Sequence, residues 1–144
     1  MSIIYINTDG GSRGNPGPAG IGVVFYSKNG EEIHTCHEFI GEATNNQAEY
    51  KAIIKALHVL LKSKWMKKNN GSSEKKIVCR LDSKLVVEQI NGNFKVKNDG
   101  IKPLIAEINE VKSKIDIPIS FMHVPREKNT RADELANIAM DKAK

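Results

Sequence analysis

Apolar and polar positions cluster along this chain in patterns that mark its elements before any chemistry is considered. Ile3, Ile4, Tyr5 and Ile6 form a short apolar run leading to Asp9, so residues 2–9 are expected to be a strand. Gly10, Gly11, Gly14, Gly17 and Gly20, with Pro16 and Pro18 among them, predict a loop, and Ile21 to Tyr26 a second strand. "SKNGEE" reads as a hairpin turn in which Asn29 and Gly30 supply the residues that tolerate positive φ. Ile33 to Ile40 then returns as a third strand, completing an antiparallel meander.

The period changes at "TNNQAEYKAIIKALHVLLKSKW". Ile53, Ala56, Leu57, Leu60 and Leu61 recur at helical spacing, and Thr44 with Gln47 resembles a capping box, so a helix starts near Asn45. "KKNNGSSEKK" has no apolar residue and predicts a flexible connection. Ile77 to Leu81 reads as a buried strand ending at Asp82, Ser83 to Asn91 as a helix, and Gly92 to Gly100 as a polar loop. Pro103 to Ile115 predicts another helix and Ile117 to Val124 a fifth strand. "NTRADELANIAMDKAK" closes the chain as a helix capped by Thr130, with Leu135, Ala136, Ala139 and Met140 facing inward. No repeat or internal boundary is visible, so residues 1–144 are expected to form a single domain. A meander followed by helix–strand alternation implies an α/β fold with a mixed sheet. Strands one, four and five would be parallel neighbours, helices would cover the faces, and ligands would bind outside the strands' carboxyl ends.

Composition narrows this picture only a little. With 40% hydrophobic and 27% charged residues, the 144-residue chain reads as globular, not disordered. No apolar run approaches the roughly 20 residues that span a bilayer, and no signal-peptide pattern opens the sequence, so no membrane association and a cytoplasmic location are expected. The two cysteines, Cys36 and Cys79, stand apart without ligand spacing and are expected to be reduced thiols. A net charge of +5 is compatible with a polyanionic partner.

The acids change the picture more. Asp9 ends the first strand and Asp82 the fourth, while Glu49 and Asp133 are expected in the first turns of two helices. Capping or helix-dipole stabilisation accounts for Asp82 or Asp133 taken singly, but no helix follows Asp9, and Thr44 already caps the helix that carries Glu49. Four carboxylates meeting at one sheet edge would repel one another unless hard cations lay between them, which suits magnesium or manganese. Two such ions activate water and stabilise the leaving oxygen of a phosphodiester.

"TDGGSRGNPGPAGIG", "TNNQAEYKAI", "LDSKLVVEQI" and "HVPREKNTRADELAN" together resemble the four motif blocks of type 1 ribonuclease H, in that family's order. The compact bacterial and archaeal branch is the nearest in kind. The resemblance implies a five-stranded mixed sheet of order 3-2-1-4-5 and endonucleolytic cleavage of the RNA strand of RNA–DNA hybrids, leaving 5′-phosphate and 3′-hydroxyl ends. It implies that Asp9, Glu49, Asp82 and Asp133 bind two Mg2+ ions, with Mn2+ as an alternative, and that Asp9 bridges both. It also implies a phosphate pocket for the DNA strand at Thr44, with Asn15 beside it.

The residues agree with a duplex substrate. Gly10, Gly11 and Ser12 are small enough to let the backbone approach a minor groove, and Asn15, Asn45 and Asn46 offer amides to 2′-hydroxyls or base edges. Double-stranded RNA remains open as a second substrate, and a monomer is expected. His123 lies ten residues before Asp133, the spacing of the family's mobile histidine, and Arg126 is a rival cation for the leaving group. "NGNFKVKNDGIK" is too short for the basic protrusion of larger members; Lys95 and Lys97 beside Phe94 are either a reduced substitute or a solvated loop. His34 and His37 point to opposite faces of a strand and share no metal. The competing readings are a binding module of the same fold without catalysis, and a nucleotide cradle at the Gly-rich loop. The cradle fares poorly, because the loop lacks GxxxxGK[ST] and no helix follows it.

Overall fold

The computed structural model describes residues 2–142; Ala143 and Lys144, expected at the end of the last helix, lie outside the described residues. The elements in chain order are β1 (Ser2–Ser12), β2 (Gly17–Tyr26), β3 (Glu32–Ala43), α1 (Asn45–Lys62), α2 (Lys64–Asn69), β4 (Lys75–Leu81), α3 (Lys84–Ile90), α4 (Lys102–Lys112), β5 (Ile119–His123) and α5 (Thr130–Asp141), with a 3-10 turn at Arg126–Lys128 before α5. The five strands form one sheet of order β3-β2-β1-β4-β5. β1 to β3 pair antiparallel, while β4 runs parallel to both β1 and β5, with Ile6 opposite Cys79 and Leu81 opposite His123. The mixed sheet and its order are as expected from the sequence.

One face of the sheet carries the main core. Ile4, Ile6, Val23 and Phe25 pack against Tyr50, Ile53, Leu57 and Leu60 of α1, with Val86, Ile108 and Val111 closing the layer from α3 and α4. Thr44 caps α1 in a complete capping box: its Oγ1 accepts from the Gln47 backbone N–H (3.1 Å), and Gln47 Oε1 accepts from the Thr44 N–H (2.9 Å). Such a cap contributes about 1 kcal/mol and fixes where the helix begins. On the opposite face α5 lies over β2, with Val24 against Ala132 and Leu135.

The helices approach the sheet where it has no side chains. A Cβ on Gly10 would fall 2.2 Å from the Ala48 carbonyl oxygen of α1, and one on Gly22 would fall 2.3 Å from the Ala132 oxygen of α5. The glycines read as loop residues are therefore in part packing residues. β1 continues through Gly10 and Gly11 to Ser12, and β2 begins at Gly17, four residues earlier than its apolar run suggests. Main-chain pairing to the neighbouring strand carries both strands into the Gly-rich stretch.

Other expectations shift for local reasons. α1 stops at Lys62 because Ser63 caps a separate helix, its Oγ accepting from Met66 N (3.0 Å); buried Met66 and half-buried Trp65 anchor α2 where a flexible connection was expected to begin. In the β2–β3 turn only Gly30 has positive φ, +85°, and Asn29 does not share it. Thr130 is the first residue of α5, not its cap; Asn129 holds the cap position. His34 lies against Phe25 (ring centroids 5.7 Å apart) and His37 contacts Lys142 (3.0 Å). Cys36 is half-buried, Cys79 is buried, and both are free. Among the described residues no helix is long and apolar enough to cross a membrane.

Gly22→Ala should cost about 3 kcal/mol in denaturant unfolding, the range of an overpacked core. Gly30→Ala should cost about 1 kcal/mol, since there only the left-handed backbone is at stake and nothing lies within 4 Å of the added carbon. Equal losses would show that α5 can lift off β2 freely. A thiol reagent at mildly alkaline pH should label Cys36 and spare Cys79, whose thiol burial pushes up to about 12. Labelling of both thiols at one rate in the folded protein would contradict that burial.

Candidate active site

Asp9 near the end of β1, Glu49 on α1, Asp82 directly after β4 and Asp133 in the first turn of α5 line one cavity of about 460 Å3 at the carboxyl ends of β1 and β4. Carboxylate oxygens of Asp9, Glu49 and Asp82 lie within 4.8 Å of one another. Asp133 shares the cavity and presses on Asp9, but stands outside that tight group of three.

None of the three serves a helix as a cap or as an acid in its first turn. α1 has no acid in its first turn, so Glu49 sits one turn further in than its spacing suggested. Ser83 caps α3 through its own Oγ, which accepts from Val86 N (3.3 Å), leaving Asp82 free of that role. Only Asp133 lies where a helix dipole favours it, an effect worth about 0.3–1 kcal/mol. Two unit charges at the separation seen here repel by roughly 3 kcal/mol at an effective dielectric near 20. Repulsion outweighs any helix benefit, so the cluster exists in spite of the fold's stability.

The electrostatics bear this out. Burial, then the Glu49 charge, then Asp82 and Asp133, raise the proton affinity of Asp9 far above the carboxylate range. Burial raises Glu49 as well, against the opposing pull of Asp9, the Gly10 N–H and Arg126. Glu49 Oε1 accepts from Gly10 N (3.0 Å), while Oε2 is buried with no partner. An orphaned carboxylate oxygen among three hard oxygen donors fits a divalent cation, which would satisfy Oε2 and cancel the repulsion. Asp82 Oδ2 accepts from Asn129 Nδ2 (3.1 Å).

The remaining candidates divide. Gly10, Gly11, Asn45, Asn46 and Arg126 line the acidic cavity. His123 ends β5 with an exposed side chain and is not among the lining residues. The missing side chain of Gly10 serves α1 before it could serve a groove, whereas a Cβ on Gly11 would meet only ordinary contacts, 3.5 Å from Met140. Ser12 N donates to Asn45 Oδ1 (2.9 Å), and Asn45 N donates to Asn15 Oδ1 (3.0 Å). Both amide oxygens are thus engaged, and the Nδ2 groups are what these residues can still offer. Asn15, Thr44, Asn45 and Asn46 also line a second depression of about 390 Å3, joined by Asn98 and Ile101. Lys95 and Lys97 are exposed on either side of Val96, which packs on the core; neither lines the two cavities. Sequence reasoning missed Asn98, Met140 and Asn129. Asn129 carried one signal, a polar residue four positions before Asp133, and Thr130 drew the capping role in its place.

A family model described as reverse transcriptase-like matches residues 7–139. The bifunctional protein Rv2228c of Mycobacterium tuberculosis is 42% identical over 141 residues, 97% of this chain; the chain spans only 36% of that protein's length. Ribonuclease HI of Halobacterium salinarum is 39% identical over 140 residues, covering 97% of this chain and 65% of that protein. Among solved structures, LC11 RNase H1 in complex with an RNA/DNA hybrid superposes with a TM-score of 0.88 at 46% identity, over 97% of this chain and 98% of that one.

Asp9→Asn replaces a carboxyl that burial and its acidic neighbours drive toward the neutral form with a group that is neutral at no such cost. In the presence of a chelator it should raise the unfolding midpoint by the equivalent of about 1 kcal/mol or more, while the stabilisation that Mg2+ gives the unmodified protein should disappear. Equal stabilisation by Mg2+ in both proteins would show that the cation binds elsewhere.

Proposed function

The chain belongs to the type 1 ribonuclease H family, and we propose that it is an endonuclease hydrolysing the RNA strand of RNA–DNA hybrids, leaving 5′-phosphate and 3′-hydroxyl ends. The observation that carries this reading is the convergence of Asp9, Glu49 and Asp82 within 4.8 Å, with a buried, unpartnered oxygen on Glu49. Similarity to a ribonuclease H1 solved with an RNA/DNA hybrid supports the substrate class. A module that binds without cutting would have no use for charges that repel so strongly.

Asp9, Glu49, Asp82 and Asp133 are the residues that would hold two Mg2+ or Mn2+ ions. Such ions supply Lewis-acid polarisation of the scissile phosphate and a water nucleophile at neutral pH. The chain's own residues do the rest. Gly11 leaves the cavity mouth low, and the Nδ2 groups of Asn45 and Asn46 can donate to 2′-hydroxyls or base edges of the RNA strand. Ser12 anchors this edge by holding Asn45 in place. Thr44, whose Oγ1 already accepts from Gln47 N, keeps its hydroxyl proton for a phosphate of the DNA strand, with Asn15 and Asn98 alongside. Lys95 and Lys97 would hold the backbone further along the duplex by charge alone.

For the leaving-group side we assign Arg126, because it lines the acidic cavity, over His123, which does not. Its fixed positive charge stabilises the developing negative charge on the leaving oxygen. The protein should cut a uniform hybrid in Mg2+ or Mn2+, and Asp9→Asn should abolish cutting. Arg126→Ala should lower kcat about tenfold or more, and His123→Ala should lower it less. Binding of hybrid without cleavage by the unmodified protein would favour the non-catalytic module. A larger loss from His123→Ala than from Arg126→Ala would reverse their roles.

A further inference from the structure

Asn129 is 1% exposed and sits at the junction of three elements. Its Nδ2 donates to the Thr8 carbonyl of β1 (2.9 Å) and to Asp82 Oδ2 (3.1 Å), spending both amide protons. Its own carbonyl accepts from Asp133 N (3.1 Å), the bond that opens α5. Its Oδ1 is buried without a partner. Turning the amide over would aim that oxygen at two other oxygens, so the two acceptors fix the orientation.

Asp82 has no other hydrogen-bonded support among the described residues, since Ser83 caps α3 with its own side chain. We propose that Asn129 is a positioning residue that aims the Asp82 carboxylate into the acidic cluster and ties it to the start of α5, so that Asp82 and Asp133 are presented together. A neutral amide suits this task better than any charged group. Lysine or arginine would neutralise the cluster, and aspartate would add to its repulsion, whereas the amide restrains one oxygen and leaves the negative charge for a cation.

The inference rests on the reading that the acids hold a divalent ion, and Mn2+ binding to the nucleic-acid-free protein, followed by calorimetry or electron paramagnetic resonance, separates the two. Asn129→Ala should weaken Mn2+ binding about tenfold or more, with the KM for hybrid little changed. In an Asp82→Ala background the same substitution should have little further effect, because Asn129 acts through Asp82. An undiminished effect there would make Asn129 a general structural residue and overturn the proposal, as would unchanged Mn2+ affinity in a folded Asn129→Ala. Should that variant not fold, the unmodified protein carries the test: Mg2+ titration should shift the Asn129 side-chain amide signal at the same midpoint as the Asp82 backbone amide. A signal that stays still would overturn the proposal. Failure of the unmodified protein to bind Mn2+ at all would instead overturn the metal reading itself.

Discussion

The closeness of two helices to the sheet is the constraint on which everything else depends. Bare backbone at Gly10 lets α1 come so near β1 that the Gly10 N–H reaches Glu49, and bare backbone at Gly22 lets α5 settle on β2. A single methyl at either position would occupy space already held by a helix carbonyl. Without those approaches Glu49 and Asp133 would be carried away from Asp9 by the thickness of a side chain, and no site would form. Glycine's entropic cost in a strand, up to about 1 kcal/mol, is small beside what the contact makes possible.

Stability and chemistry pull in opposite directions at that contact. The apolar layer between α1 and the sheet stabilises the fold, and its upper rim carries buried carboxylates that oppose it. Small residues reconcile the two, because Ala19, Ala43 and Ala48 pack behind the rim and bring backbone, not bulk, up to the acids. Polar support comes from uncharged groups, the Gly10 N–H and the Asn129 amide, which orient oxygens without neutralising them.

Much of this was legible in the sequence, for reasons that differ by element. Thr44 and Gln47 announced the start of α1 because a capping box is local chemistry, complete within a few residues. The sheet order followed from the alternation of elements together with the motif resemblance. The glycines were misread in part because their reason is tertiary: nothing near Gly10 in sequence reveals that Ala48 lies against it. Lys64 to Asn69 looked like the end of a helix running into a linker, since one buried methionine makes no periodic pattern. Asn129 was hidden by the more familiar helix-start residue beside it, and its true partners, Thr8 and Asp82, are far away in the chain.

The path of the chain has a consequence in time. The acidic site draws on β1, α1, β4 and α5, nearly the whole order in which the elements are synthesised. The sheet and α1 can gather Asp9, Glu49 and Asp82 early, but the amide that steadies Asp82 arrives only at Asn129, one residue before the final helix. A growing chain would therefore hold three of the four acids before Asn129 and Asp133 are made, so the acidic cluster is completed only when α5 docks on the sheet.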